Sequence, residues 1–118
     1  MSVQNVKVQF IRPKYNNLKE WMQDDKNVYI GRAGIVFIDN ERYPKENSIW
    51  CNPFKIGKDG DRDDVINKYE KYIKGLLKKN SKLVESLQML KGKNLGCWCA
   101  PDKCHGHVLL KIMKELFE

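Results

Sequence analysis

Three cysteines and two histidines fall within eleven positions: Cys97, Cys99, Cys104, His105 and His107. Thiols and imidazoles at this density support three kinds of chemistry. A thiol beside an imidazole at a helix start has a lowered pKa, which makes Cys104 a candidate nucleophile and His105 its candidate acid/base. Cys97, Cys99, Cys104 and His105 together would also complete a tetrahedral Cys3His zinc set, although the spacing departs from the usual Cys-x2-Cys knuckle. The same cysteines serve equally as small apolar core residues, a role that suits Cys97 best. Gly106 beside His105 would let a ligand approach the backbone closely.

A second cluster lies in Trp50-Cys51-Asn52-Pro53-Phe54-Lys55. Pro53 keeps Asn52 out of the helical region, so Ile49 to Gly57 reads as a fixed, semi-extended loop. Trp50 and Phe54 could stack on a nucleobase while Asn52 reads its edge. Lys55, with Arg32 or Arg62, would meet a phosphate. A structural role is open to each as well: aromatic plugs for Trp50 and Phe54, a turn cap for Asn52, an ion pair to Asp63 or Asp64 for Arg62. Asp59, Asp61, Asp63 and Asp64 lack the glycine and terminal glutamate of a calcium loop and fit helix capping instead.

The elements that must hold these clusters follow from periodicity. Val6 to Ile11 alternates apolar and polar residues and predicts a strand. Tyr15 to Asp25 reads as a short helix or an irregular connection. Asn27 to Arg32 and Gly34 to Ile38 predict strands, and Asp39 to Ser48 a loop. Asp61 caps a helix over 61–78, whose predicted buried face is Val65, Ile66, Tyr69, Tyr72, Ile73 and Leu76. Ser81 caps a second helix over 81–91, closed by Gly92. A strand over 93–98 follows, expected at the centre of its sheet, with Cys97 and Cys99 on one face and Trp98 on the other. A final helix covers 104–117. Strands alternating with helices predict an α/β fold: a single three-layer, Rossmann-like domain over 1–118 with a mixed, partly parallel sheet. In such sheets ligands sit at the carboxyl ends of strands, beside helix N-termini. Both clusters are expected to meet there in one cleft, with Cys99 and Gly106 among its contacts and Pro101 stiffening the strand-to-helix connection.

The 118 residues carry 22 Lys and Arg against 15 Asp and Glu, a formal net charge of +7. That balance favours phosphate-bearing partners, a small molecule or a nucleic acid. The positive charge is nearly all lysine; the arginines are Arg12, Arg32, Arg42 and Arg62. No apolar run approaches the ~18 residues of a membrane span, so no membrane partner is expected. The first residues show no basic-then-apolar secretory pattern. An intracellular, unsecreted protein with reduced thiols is therefore expected, rather than a disulfide framework.

Ile30-Gly31-Arg32, Trp50-x-Asn52-Pro53-Phe54-x-Ile56-Gly57, Gly60-x-Arg62-x-x-Val65 and Leu90-Lys91-Gly92-Lys93-x-Leu95-Gly96-Cys97-Trp98-Cys99-x-Pro101-x-x-Cys104-His105-Gly106 form a recognisable series. It resembles a family of small domains of unknown function found in bacteria, phages and large DNA viruses. The resemblance runs from Val28 onward. It implies a shared site at the Cys-His-Gly stretch and assigns no activity. Cys51 stands where the family usually has glycine and His107 where aspartate is common, which sets both outside the shared site. The segment from Ala33 to Ser48 is longer than usual. The cluster is also similar to a Cys … Cys-His-Arg arrangement in a second group of α/β domains. Three functions agree with this pattern. One is a nucleotide, nucleotide-derivative or nucleic-acid-end binder, with or without Cys/His chemistry. Another is a zinc-stabilised binding module. The third is a phage or viral accessory protein that binds a host protein or sequesters a signalling nucleotide.

Overall fold

The computed structural model describes residues 2–100 and 102–117; the expected stiffening by Pro101 lies outside them. The chain opens with β1 (Ser2–Asn5) and turns at once into α1 (Val8–Ile11). The strand expected over 6–11 is therefore absent. Its alternation was real, but Val6 and Ile11 are the buried pair while Val8 and Phe10 are exposed. The Asn5 side chain ends β1 by accepting the Lys7 backbone N–H at 2.9 Å, a local bond that competes with strand pairing. The short helix in the next segment is α2 (Leu18–Gln23). Asn17 caps it by accepting the Glu20 N–H at 2.9 Å, and it buries Leu18 and Trp21.

After β2 (Asn27–Tyr29) come β3 (Val36–Ile38) and β4 (Glu41–Tyr43), antiparallel partners. The expected loop over 39–48 thus contains a strand. Asp39 and Asn40 both take positive φ, 53° and 67°, the backbone of a two-residue hairpin turn that these residue types tolerate. The long helix α3 (Arg62–Lys79) starts from Asp61. Asp61 and Asp64 exchange side-chain-to-backbone bonds of 2.9 and 3.0 Å, a reciprocal capping box. Its buried line is Val65, Tyr69, Ile73 and Leu77. Tyr72 and Leu76, expected inside, are exposed, because a run of fours is the stripe that turns inward. Asn80, rather than Ser81, caps α4 (Ser81–Gln88). Then follow β5 (Asn94–Cys97) and α5 (His105–Phe117).

The three-stranded sheet has the order β1-β5-β2, with both pairings parallel. The central place of β5 is as expected. Among the described residues, antiparallel pairing is confined to the separate β3–β4 hairpin. Helices and strands of both senses thus make up an α/β chain. Side chains leave the sheet toward two apolar clusters. Leu95, Cys97 and Ile30 join the cluster of α3, α4 and α5. Tyr29 and Trp98 join the cluster of Val6, α1 and α2. Gly96 leaves β5 toward the second cluster, where a Cβ would stand 2.7 Å from Val6 Cγ1; only glycine lets Trp21 pack so close. Among the described residues no helix is long and apolar enough to cross a membrane.

Candidate binding cleft

β5 and β2 end side by side, and the chain beyond each end builds a wall. Past β2, Ile30-Gly31-Arg32 stays fastened by the Ile30 N–H to the Gly96 carbonyl at 3.0 Å. Past β5, residues 98–100 bend away and α5 starts above the strand ends. Between them lies a cleft of about 450 Å³. Its lining includes Arg32, Asn52, Phe54, Lys55 and Arg62 from one cluster and Cys97, Cys99, Cys104 and His105 from the other. Two stretches nearly fifty residues apart are thus joined around one space.

Arg32 builds the wall rather than standing free in it. Its guanidinium donates to the Asn52 carbonyl at 2.7 and 3.2 Å and to the Phe54 carbonyl at 3.1 Å. A fixed fork of donors suits two carbonyls of one loop. The Arg32 carbonyl in turn accepts the Tyr29 hydroxyl at 2.8 Å, whose oxygen accepts the Trp98 indole N–H at 2.8 Å. Asn52 is buried, and its amide is committed inward. It donates to the Val65 carbonyl at 3.2 Å and accepts the Phe54 N–H at 2.9 Å. The expected edge reading by Asn52 gives way to this turn-capping role. Trp50 is not in the lining. It is buried against α3, and its carbonyl accepts the Tyr69 hydroxyl at 2.7 Å; the expected stacking falls to Phe54 alone. Phe54 is half-buried, edge-on to Tyr72 with centroids 6.0 Å apart.

Arg62 and Lys103 were linked by nothing in the sequence, yet the Arg62 guanidinium donates to the Lys103 carbonyl at 3.0 Å. The neighbouring Cys99 sulfur, opposed by partial burial, raises the Arg62 pKa. Lys103 is the rim residue that sequence reasoning missed; its loop position carried no signal. With Arg32, Lys55, Arg62 and Lys103, four cationic residues line the cleft, and no carboxylate does among the described residues.

On the opposite wall, His105 and Cys104 do not form the expected nucleophile–base pair. The His105 Nε2 lies 2.7 Å from the Ile30 carbonyl and the ring sits edge-on to Tyr69. A carbonyl only accepts, so Nε2 carries the proton. Burial lowers the His105 pKa; the Ile30 contact opposes that shift and the nearby Arg32 charge adds to it. The Cys104 thiol instead donates to Cys97 Sγ, 3.4 Å away. That bond lowers the Cys97 pKa to about 6 against the opposing effect of burial, with backbone donors at Ala100 and Cys99 helping. Cys104, holding the shared proton, is pushed up. The low-pKa thiol is thus Cys97 and not the expected Cys104, and burial in an apolar strand hid it from the sequence. Gly106 faces away from the cleft: a Cβ there would meet Ile30 Cδ1 at 2.9 Å and Val3 at 3.0 Å, so its smallness serves helix-to-sheet packing. His107 Nδ1 accepts the Cys104 N–H at 3.1 Å and steadies the helix start.

The Cys3His zinc set is not assembled. Among the described residues no three His, Cys, Asp or Glu side chains converge as metal ligands, and His105 is turned to a backbone carbonyl.

This pairing of loop and helix start defines a class before it defines an activity. The chain matches the family described as Domain of unknown function (DUF4326) over residues 14–115, and it belongs to that family. It is similar to an uncharacterized protein of Acanthamoeba polyphaga mimivirus, 34% identical over 96 residues, which are 75% of this chain and 67% of that one. It is similar also to an uncharacterized 12.4 kDa protein from the nrdA-td intergenic region of Enterobacteria phage T4. That relative is 34% identical over 72 residues, 60% of this chain and 65% of the relative. The chain thus spans about two thirds of the length of each relative. No solved structure matches it significantly.

Proposed function

We propose that the protein binds a nucleotide, a nucleotide derivative or a nucleic-acid end in this cleft. One observation carries the proposal: a single cavity with an aromatic wall at Phe54, four cationic residues and no carboxylate among its described lining. Such a lining attracts phosphate over distance and holds it on contact. Lys55 and Arg62 are assigned to the phosphates, and Phe54 to the face of the base. Arg32 acts through the loop it fastens. The position beyond the carboxyl ends of parallel strands supports the same reading. So does a Rossmann-like three-layer arrangement, with α3, α4 and α5 on one face and α1 and α2 on the other. The protein would then work inside the cell, where its thiols stay reduced.

Titration of the full chain with nucleoside mono-, di- and triphosphates, and with a short single strand bearing a 5′ phosphate, tests this. Affinity should rise with phosphate number and fall steeply with salt. Lys55→Ala and Arg62→Ala should each weaken binding by about 1–3 kcal/mol. Binding to none of these probes, or binding indifferent to salt, would overturn the proposal.

A further inference from the structure

The two most enclosed thiols of the cleft are also the closest pair. Cys97 ends β5 and Cys104 immediately precedes α5; their sulfurs lie 3.4 Å apart, and both line the cavity. A disulfide requires about 2.05 Å between sulfurs, so a small approach of the helix start to the strand end joins them. We propose that Cys97 and Cys104 are a redox-modification site, oxidised by a small hydroperoxide to an intramolecular disulfide.

Three features favour this pair over Cys51 and Cys99. The Cys104 thiol donates to the Cys97 sulfur across 3.4 Å. That contact, with the nearby backbone of Ala100 and Cys99, favours the thiolate, which is the reactive form. Cys104 is already in place as the resolving thiol. Both residues are nearly sealed, at 1% and 3% exposure, yet both line the cleft, so the path to them from that space suits a small hydroperoxide and not a bulky disulfide.

The step balances as follows. The Cys97 thiolate attacks the terminal peroxide oxygen, an S–O bond forms and the O–O bond breaks. The leaving alkoxide or hydroxide takes a proton and departs as alcohol or water. Cys97 is now a sulfenic acid, oxidised by two electrons, and the hydroperoxide is reduced by two. Cys104 loses its proton to the departing hydroxyl and attacks the Cys97 sulfur. The S–S bond forms, the S–O bond breaks and water leaves.

This inference does not depend on what the cleft binds, and its test needs no ligand. A Cys51→Ser, Cys99→Ser double variant leaves only the buried pair, and both substituted thiols are part-exposed. The reduced variant is treated with hydrogen peroxide, unfolded, alkylated and weighed by mass spectrometry. The expected product has lost two hydrogens and resists alkylation at both thiols, and a reductant restores both. A product in which oxygen accumulates on either sulfur without closure would overturn the proposal. So would two thiols that remain fully alkylatable. In the wild type the same treatment should link the tryptic peptide 94–103 to 104–111. A closure confined to 94–103, which is Cys97 with Cys99, would also count against it.

Discussion

His105 is held neutral by its surroundings, and that gives the protein an acid-sensitive joint. The lowered pKa means the unfolded chain binds a proton more readily than the folded one in the window below the ordinary value of about 6.5. Stability therefore rises with pH through that window and is lost on acidification. The Cys97 thiol adds a slope of the same sign between about 6 and its ordinary value. His105→Phe keeps a ring against Tyr69 but leaves the Ile30 carbonyl without its partner. It should cost about 1–3 kcal/mol near neutrality and remove the part of the slope below pH 6. Urea melts across pH 5 to 8 check both effects. Sequence made His105 conspicuous beside a glycine at a helix start. Its partner was invisible, because Ile30 lies 75 positions away and a backbone carbonyl leaves no mark on residue type. For Asn52 and Trp50 the sequence left a ligand role and a structural role both open; each uses its side chain, or its burial, to build the wall.

Elements with a local signal were legible, and those set by competition were not. The helix start at Asp61 could be read from the acidic first turn alone. Asp61→Ala removes one arm of its capping box and should cost about 0.5–2 kcal/mol in denaturant unfolding. Asp64→Ala, removing the other arm, should cost less when made in the Asp61→Ala background than alone, since the arms support each other. An additive pair of losses would show the arms to be independent. The segment 6–11 shows the opposite case. Period two and period five were both present in Val6, Val8, Phe10 and Ile11, and the Asn5 turn decided between them. The hairpin at Asp39-Asn40 was obscured because polar strands on a rim look like loop. The Asp39-Asn40 pair itself was the overlooked signal.

Across the whole molecule, charge and topology converge on one edge of the sheet. On the proposed function, the net charge of +7 would steer anions toward the protein, and Lys55 and Arg62, which line the cleft, would hold them. The logarithm of affinity for a triphosphate should fall linearly with the logarithm of salt, and Arg62→Ala should flatten that slope by nearly one contact. The central place of β5 was legible from the order of elements, but the expected mixed sheet is instead a wholly parallel one with a separate hairpin, since strand partners are chosen in three dimensions. The tripeptide Ile30-Gly31-Arg32 then has a consequence for motion. Ile30 takes the His105 imidazole, the Gly31 carbonyl takes the Ser48 N–H at 3.0 Å, and Arg32 grips Asn52 and Phe54. Helix start, hairpin exit and loop all hang from three consecutive residues. Native-state hydrogen exchange should therefore find the amides of Ile30, Ser48 and Phe54 opening with one shared free energy, lowered in concert by Arg32→Ala. Distinct values would mean that each wall breathes alone; a shared value makes the tripeptide the hinge pin on which the cleft swings as one door.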